Sequence, residues 1–311
     1  MREIGGYFGL EELPSHEYHH EAVAVNSARN GLAYLIRALK IRKLHIPYYL
    51  CDSVGRLCER EHCEYGRYEI SEDFQPVFKQ ESLADGEWLY IVNYFGQVAN
   101  ELQWQKDCGN IIVDNVQAFF RKPRPKIPTL YSCRKFFGVP DGGYVYSPVV
   151  LHDLSVDVSR ERMRHILGRY EGRASDYYQD FQRNDEDFYD LDLRLMSRLT
   201  HNILGSIDYV KVKETREGNY ACLHRRLGSA NRLELSEPEG PYAYPFYCQN
   251  GLEVKRQLAK QGIYVPTLWP DAVPFGGLAK DYSENILPLP CDQRYTLEDM
   301  EYLSDILMTL L

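Results

Sequence analysis

The chain has no C-x-x-C pair, no apolar run approaching the length of a membrane span and no excess of basic charge. Each absence removes a class of protein. The eight cysteines (51, 58, 63, 108, 133, 222, 248 and 291) form no even framework. They therefore read as small buried apolar residues in a reduced, cytoplasmic compartment rather than as a disulfide scaffold. The start, MREIGGYFGLEELPSHEY, carries no apolar signal region, so neither export nor a membrane partner is expected. With 36 basic against 45 acidic residues, the net charge of -9 argues against nucleic acid, whose binding runs on clustered Lys and Arg. A local basic pocket for one phosphate group remains compatible with it. There is no Walker A loop and no G-x-G-x-x-G, which argues against nucleotide cleavage and dinucleotide binding. Cys58-Glu-Arg-Glu-His62-Cys63 matches no standard zinc spacing and no second pair follows, so no metal is expected.

What is present is an alternation of short apolar runs with helical periods. AVAV (22–25), KLHIPYY (43–49), WLYIVNYFG (88–96), NIIVD (110–114) and GYVYS (143–147) read as strands. Between the first two, Ser27 caps a helix with apolar Leu32, Leu35, Ile36 and Leu39 at helical spacing. Continuous apolar strands separated by helices predict a mainly parallel α/β sheet covered on both faces. From Leu151 to Leu227 the chain is charge-rich and helical in period, with IDYVKV (207–212) readable as strand or helix. Then come a strand candidate in PYAYPFYC, a helix at 253–262 and a final helix capped by Thr296. At 311 residues this suggests a large α/β domain over 1–200 and a small C-terminal α+β domain over 201–311.

Four features fall at successive strand ends. Asp114 closes a buried strand, with Gln117 three residues on, where ligands of open α/β sheets collect; such an aspartate also commonly caps the next helix. In YSCRKFFGVPDGG (131–143), Lys135 is followed by two phenylalanines and a Gly142-Gly143 pair. A lysine desolvated in this way has its charged form disfavoured and its amine made nucleophilic. The glycine pair leaves room for a close approach by backbone, cofactor or a neighbouring subunit. Ser132 and Lys135 form S-x-x-K, but the S-D-N and K-T-G strings of β-lactamases are missing. Asn26-Ser27-Ala28-Arg29-Asn30-Gly31 opens a helix, whose free N–H groups make a phosphate seat. Tyr48 and Tyr49 follow Pro47 and offer a stacking face, although 25 tyrosines make packing the ordinary role for either. A buried acid, a desolvated lysine, a phosphate seat and a stacking ring are together what pyridoxal 5'-phosphate (PLP) requires.

With these residues in view, the chain resembles the fold-type I PLP enzymes, and among them the DegT/DnrJ/StrS family of sugar aminotransferases. NSARNGLAYLIRAL resembles the family's phosphate loop and helix, VNYFGQVAN its strand-plus-glycine segment and VDNVQAFF its D-x-x-(His/Gln) motif. SCRKFFGVPDGGYVY resembles the Schiff-base lysine and its glycine turn; EVKRQLAKQGIYV and ILPLPCDQRYTLEDMEYLSDIL resemble the small domain. The resemblance implies that Lys135 holds the cofactor as a Schiff base and that Asp114 pairs with its pyridinium nitrogen. Gln117 would lie against the ring or its hydroxyl, while Ser27, Ala28 and Ser132 would bind phosphate. Tyr48 or Tyr49 would stack on the ring. It also implies a homodimer with its site at the interface, and transfer of an amino group from L-glutamate to a nucleotide-linked keto sugar in surface-polysaccharide or secondary-metabolite biosynthesis. Related dehydratases carry histidine in place of the lysine. Another fold-type I activity, such as an amino-acid lyase or a transaminase on a non-sugar substrate, and a non-catalytic regulator or carbohydrate binder are the alternatives. Three departures stand out: Ser132 lies closer to Lys135 than in most members, the chain is short, and Asp192 stands where a neighbouring subunit's asparagine often reaches the phosphate. Either Arg194 substitutes there or that cross-subunit contact is lost.

Overall fold

The computed structural model describes residue 4 and residues 6–78, 83–98 and 100–311. The strands are β1 (Val23–Val25), β2 (Lys43–Pro47), β3 (Glu64–Ile70), β4 (Pro76–Val77), β5 (Glu87–Val92), β6 (Ile111–Asp114), β7 (Thr129–Ser132), β8 (Gly143–Tyr146), β9 (Tyr244–Tyr247) and β10 (Ile286–Leu289). The helices are α1 (Ala28–Leu39), α2 (Asp52–Arg60), α3 (Glu101–Cys108), α4 (Arg164–Glu171), α5 (Tyr178–Asp190), α6 (Arg198–Leu204), α7 (Tyr209–Leu227), α8 (Gly251–Lys260), α9 (Gly277–Asn285) and α10 (Leu297–Leu310).

Eight strands make one sheet in the order β1-β8-β7-β6-β5-β2-β3-β4. From β7 across to β3 every neighbour pair is parallel, while β1·β8, β7·β8 and β3·β4 are antiparallel. β1 is thus two reversals away from β7 and runs the same way. The carboxyl ends of β1, β2, β5, β6 and β7 therefore share one edge, and this positions the site. Helices flank the sheet because its strands are apolar on both faces: β6 is buried at all four residues. α1 supplies Leu32, Leu35 and Ile36 to the same core. This is the α/β fold that the strand pattern predicted.

The expected strands at 22–25, 43–49, 88–96, 110–114 and 143–147 appear as β1, β2, β5, β6 and β8. Unanticipated are β3, whose polar residues face outward near the sheet edge, and β7, only four residues long. The ambiguous 207–212 segment enters α7, because the Asp208 carboxylate accepts the Lys211 N–H and caps the helix. Residues 151–158 are not helical, and Val156 instead bridges to Leu195. The antiparallel β9–β10 ribbon packs with α7, α8 and α10 around Tyr220, Leu223, Phe246, Leu258, Leu287 and Leu303. Trp269 and Tyr282 join the main core instead and tie this C-terminal portion to the sheet. No described helix is long and apolar enough to cross a membrane.

Candidate active site

Asp114 ends β6 and is buried. One carboxylate oxygen, Oδ2, accepts the Tyr90 hydroxyl at 2.6 Å, and Oδ1 accepts the Val116 N–H at 2.8 Å. The second bond is the local capping role that any strand-end aspartate can play; the first is not, because Tyr90 comes from β5. Burial pushes the Asp114 pKa up, while the Tyr90 bond and the nearby Lys135 charge hold it back.

Lys135 sits in a tight turn after β7, where the Cys133 carbonyl accepts the N–H of Phe136 at 3.0 Å and of Phe137 at 2.9 Å. Both phenylalanine rings are buried in a cluster with Phe119, Phe120, Tyr144 and Met196, so they anchor the turn in the core. On the opposite side, the Phe136 carbonyl accepts Arg216 Nη2 at 3.1 Å and Gln293 Nε2 at 2.7 Å. The Lys135 amine lies 5.7 Å from the centroid of the Tyr242 ring. Its pKa is lowered by burial, and Asp114 is the largest influence opposing that shift. The two residues therefore share one site, each moderating the other's desolvation.

Gln117 is fully buried beside them in sequence. Its Oε1 accepts the Phe95 N–H at 2.9 Å, with Phe95 held at a left-handed φ of 52°. Its Nε2 is buried with no hydrogen-bond partner. An unpaired buried amide costs about 1–3 kcal/mol, so this donor calls for an acceptor that a ligand supplies.

Ser27 caps α1, its Oγ accepting the Asn30 N–H at 3.1 Å, and bridges to Gly142. A Cβ at Gly143 would lie 2.7 Å from the Ala28 nitrogen and 2.8 Å from the Ser27 carbonyl carbon. The room expected at the glycine pair is thus filled by this chain's own Ser27-Ala28 backbone. Through that contact the Lys135 turn and the α1 N-terminus are fixed to each other. Ser132, paired with Gly143, ends β7 on the same edge. Asp141 of the same turn is fully buried and accepts the Ser197 N–H at 2.9 Å, the Ser197 hydroxyl at 2.8 Å and the Thr200 hydroxyl. It holds the start of α6, a structural role.

The two tyrosines go elsewhere. Tyr49 is in the core, stacked on Tyr94 and edge-on to Trp269 and Tyr282. Tyr48 packs against Phe275. The residue that follows this pair closely enough to influence Lys135 is Cys51. Asp192 has its side chain in solvent, while its carbonyl accepts Asn26 Nδ2 at 3.0 Å and Asn30 Nδ2 at 2.9 Å. Arg194 is 3.6 Å from Asp157. The described groups close enough to share one metal ion are Cys51, Asp52 and Asp271, not Cys58, His62 and Cys63.

Sequence reasoning passed over Tyr90 and Arg216. Both reach the site from distant segments and left no local signal.

No protein-family model matches the chain, and no curated protein sequence matches it. Solved structures do. Spr1654 from Streptococcus pneumoniae, provisionally named a sugar aminotransferase, superposes in its apo form with a TM-score of 0.65 at 17% identity, covering 93% of this chain and 85% of its own. NtdA from Bacillus subtilis, solved with its cofactor PMP, gives 0.66 at 14% identity, over 93% of this chain and 73% of its own. A DegT DnrJ EryC1 StrS aminotransferase from Brucella abortus gives 0.63 at 14% identity, over 93% and 85%. The chain has the fold that these aminotransferases share.

Proposed function

We propose that the chain is a PLP-dependent aminotransferase of the DegT/DnrJ/EryC1/StrS type, moving an amino group from L-glutamate to a nucleotide-linked keto sugar. The observation that carries this reading is the pairing of buried Asp114 with half-buried Lys135 on the sheet edge that also holds the α1 N-terminus. The names of the structural neighbours support the same class. The residues present fit PLP: the orphaned Gln117 Nε2 is a donor for an oxygen on the ring, and the first turn of α1 offers N–H groups to a phosphate.

Bound PLP supplies an electron sink and a carbonyl that condenses with amines. Lys135, its charged form disfavoured by burial, would hold the group through its Nζ and would carry a proton at that atom. Asp114 would face the ring nitrogen, and Tyr90, donating to Oδ2, favours the ionised form of the carboxyl. Gln117 would orient the ring through its unpartnered amide. Ser27, Ala28 and Ser132 would hold the phosphate. A homodimer completes the proposal.

Purified protein should develop a visible absorbance band with added PLP, and borohydride should fix the cofactor covalently to Lys135. Lys135→Ala should abolish that capture, and glutamate should release 2-oxoglutarate from loaded wild type. A protein that stays colourless with PLP would sink the reading. Capture that survives Lys135→Ala would show that the lysine is misassigned.

A further inference from the structure

Arg216, on α7, is 1% exposed, and no carboxylate pairs with it among the described residues. Asp292, whose charge reaches it, is taken by Arg294, which donates through Nε and Nη2 at 2.7 Å each. The Arg216 donors go to neutral oxygens instead: Nη2 to the Phe136 carbonyl at 3.1 Å, Nη1 to the Pro241 carbonyl at 2.8 Å and Nε to Gln293 Oε1 at 2.7 Å. Gln293 Nε2 in turn donates to the same Phe136 carbonyl at 2.7 Å. Phe136 is the residue after Lys135, and Pro241 is the residue before Tyr242. The Tyr242 ring stands 5.7 Å from the Lys135 amine and 6.0 Å from the Phe136 ring. One guanidinium, itself 4.6 Å over the Phe136 ring, therefore bonds the backbone on both sides of that amine–ring contact. A buried cation facing only neutral acceptors is costly, and an apolar side chain would fill the space at less cost. What the guanidinium adds is a rigid planar fork that fixes two carbonyls at one spacing.

We infer that Arg216 is a positioning residue for Lys135: by bonding Phe136 and Pro241 with one fork, it holds the Tyr242 ring as a wall of the candidate site beside the amine. The ring keeps water from half-buried Lys135, and its π-face accepts the ammonium form when the amine carries a proton. Arg216, Gln293 and Tyr242 all belong to the C-terminal portion, so the placement of that portion decides the surroundings of the amine. The effect on the amine needs no cofactor, whereas its catalytic consequence rests on the PLP reading above.

Arg216→Lys, Gln293→Leu, Tyr242→Ala and the double variant Arg216→Lys with Tyr242→Ala are compared with wild type. In cofactor-free protein, mass-spectrometric acylation of Lys135 against pH gives the midpoint of the amine, and melting gives stability. Arg216→Lys keeps the charge and loses the fork, so water reaches the amine and the midpoint rises toward that of a free lysine. Gln293→Leu removes one bond to the Phe136 carbonyl and the acceptor of Arg216 Nε. It shifts the midpoint the same way and, being a change at a half-buried position, carries the test if Arg216→Lys fails to fold. Tyr242→Ala also raises the midpoint, because burial is the largest influence on this amine and admitting water outweighs the lost ring contact. The double variant rises by less than the sum of its two parts, since Arg216 acts partly through Tyr242. In PLP-loaded protein, glutamate bleaches the visible band of Arg216→Lys about 10- to 100-fold more slowly, at an unchanged half-saturating concentration, as a misplaced amine requires. Lower melting temperatures with an unchanged Lys135 midpoint would show a merely structural role and overturn the inference, as would strictly additive shifts in the double variant. If the midpoints shift as expected but wild type binds no PLP, the proposed function fails while Arg216 still positions Lys135.

Discussion

Replacing Lys255 should stabilise this protein at neutral pH, and the gain should disappear in alkali. Lys255 lies on α8, is buried, and donates to the Ser283 carbonyl at a long 3.4 Å. No carboxylate pairs with it among the described residues. Burial pushes it from 10.5 down to about 8. The folded state therefore prefers the neutral amine, while the unfolded chain keeps the proton until about 10.5. Below the folded value folding carries the whole penalty; between the two values folding releases a proton and stability rises with pH; above the unfolded value the penalty is gone. At about 1.4 kcal/mol per tenfold, the penalty is roughly 3 kcal/mol. Lys255→Met removes it and forfeits the Ser283 bond, worth about 1 kcal/mol. The variant should gain about 2 kcal/mol at pH 7 and lose about 1 kcal/mol near pH 10.5. Urea unfolding of both proteins at several pH values measures this, and taking the difference cancels the buried tyrosines, which titrate in both. A variant no more stable than wild type at neutral pH, or an advantage that persists in alkali, refutes the reasoning.

Asp114→Asn removes the charge that opposes the lowering of Lys135, so Lys135 should become reactive at lower pH than in wild type. Mass-spectrometric acylation of Lys135 against pH shows the shift, and an unchanged midpoint would separate the two residues. Gly143→Ala should cost about 3 kcal/mol or more, because three backbone atoms within 2.9 Å of the new Cβ cannot yield. Gly218→Ala, in the middle of α7 with open space around it, should instead gain about 0.5–1 kcal/mol in the same denaturation assay. Asp141→Ala removes the acceptor of the buried Ser197 N–H and of the Ser197 and Thr200 hydroxyls and should destabilise by about 3 kcal/mol, seen as a lower melting temperature.

The parts of the site that were legible in the sequence are those whose chemistry lies within a few residues of a strand end. Asp114 and Ser27 lie at the ends of short apolar runs, so periodicity places them on one edge once the strands are parallel, whereas the strand before Lys135, β7, is too short to read. Tyr48 and Tyr49 show the limit of that logic. Both are at a strand end, yet the fold turns Tyr49 into the core against Tyr94 and Trp269. Side-chain direction after a strand is set by packing partners far away in the chain, and Trp269 lies 220 residues from Tyr49. The glycine pair was read correctly as a close approach, but its neighbour is this chain's own α1 backbone.

By itself the sequence determined the α/β class, the strand end that carries Asp114, and the capped start of α1. These depend on local spacing and burial tendency, which a chain states residue by residue. Only the tertiary structure decided that Tyr90 donates to Asp114 and that Arg216 and Gln293 hold the Lys135 turn. Hydrogen-bond satisfaction is a property of three-dimensional neighbourhoods, and those neighbours lie from 24 to 157 residues apart in the chain.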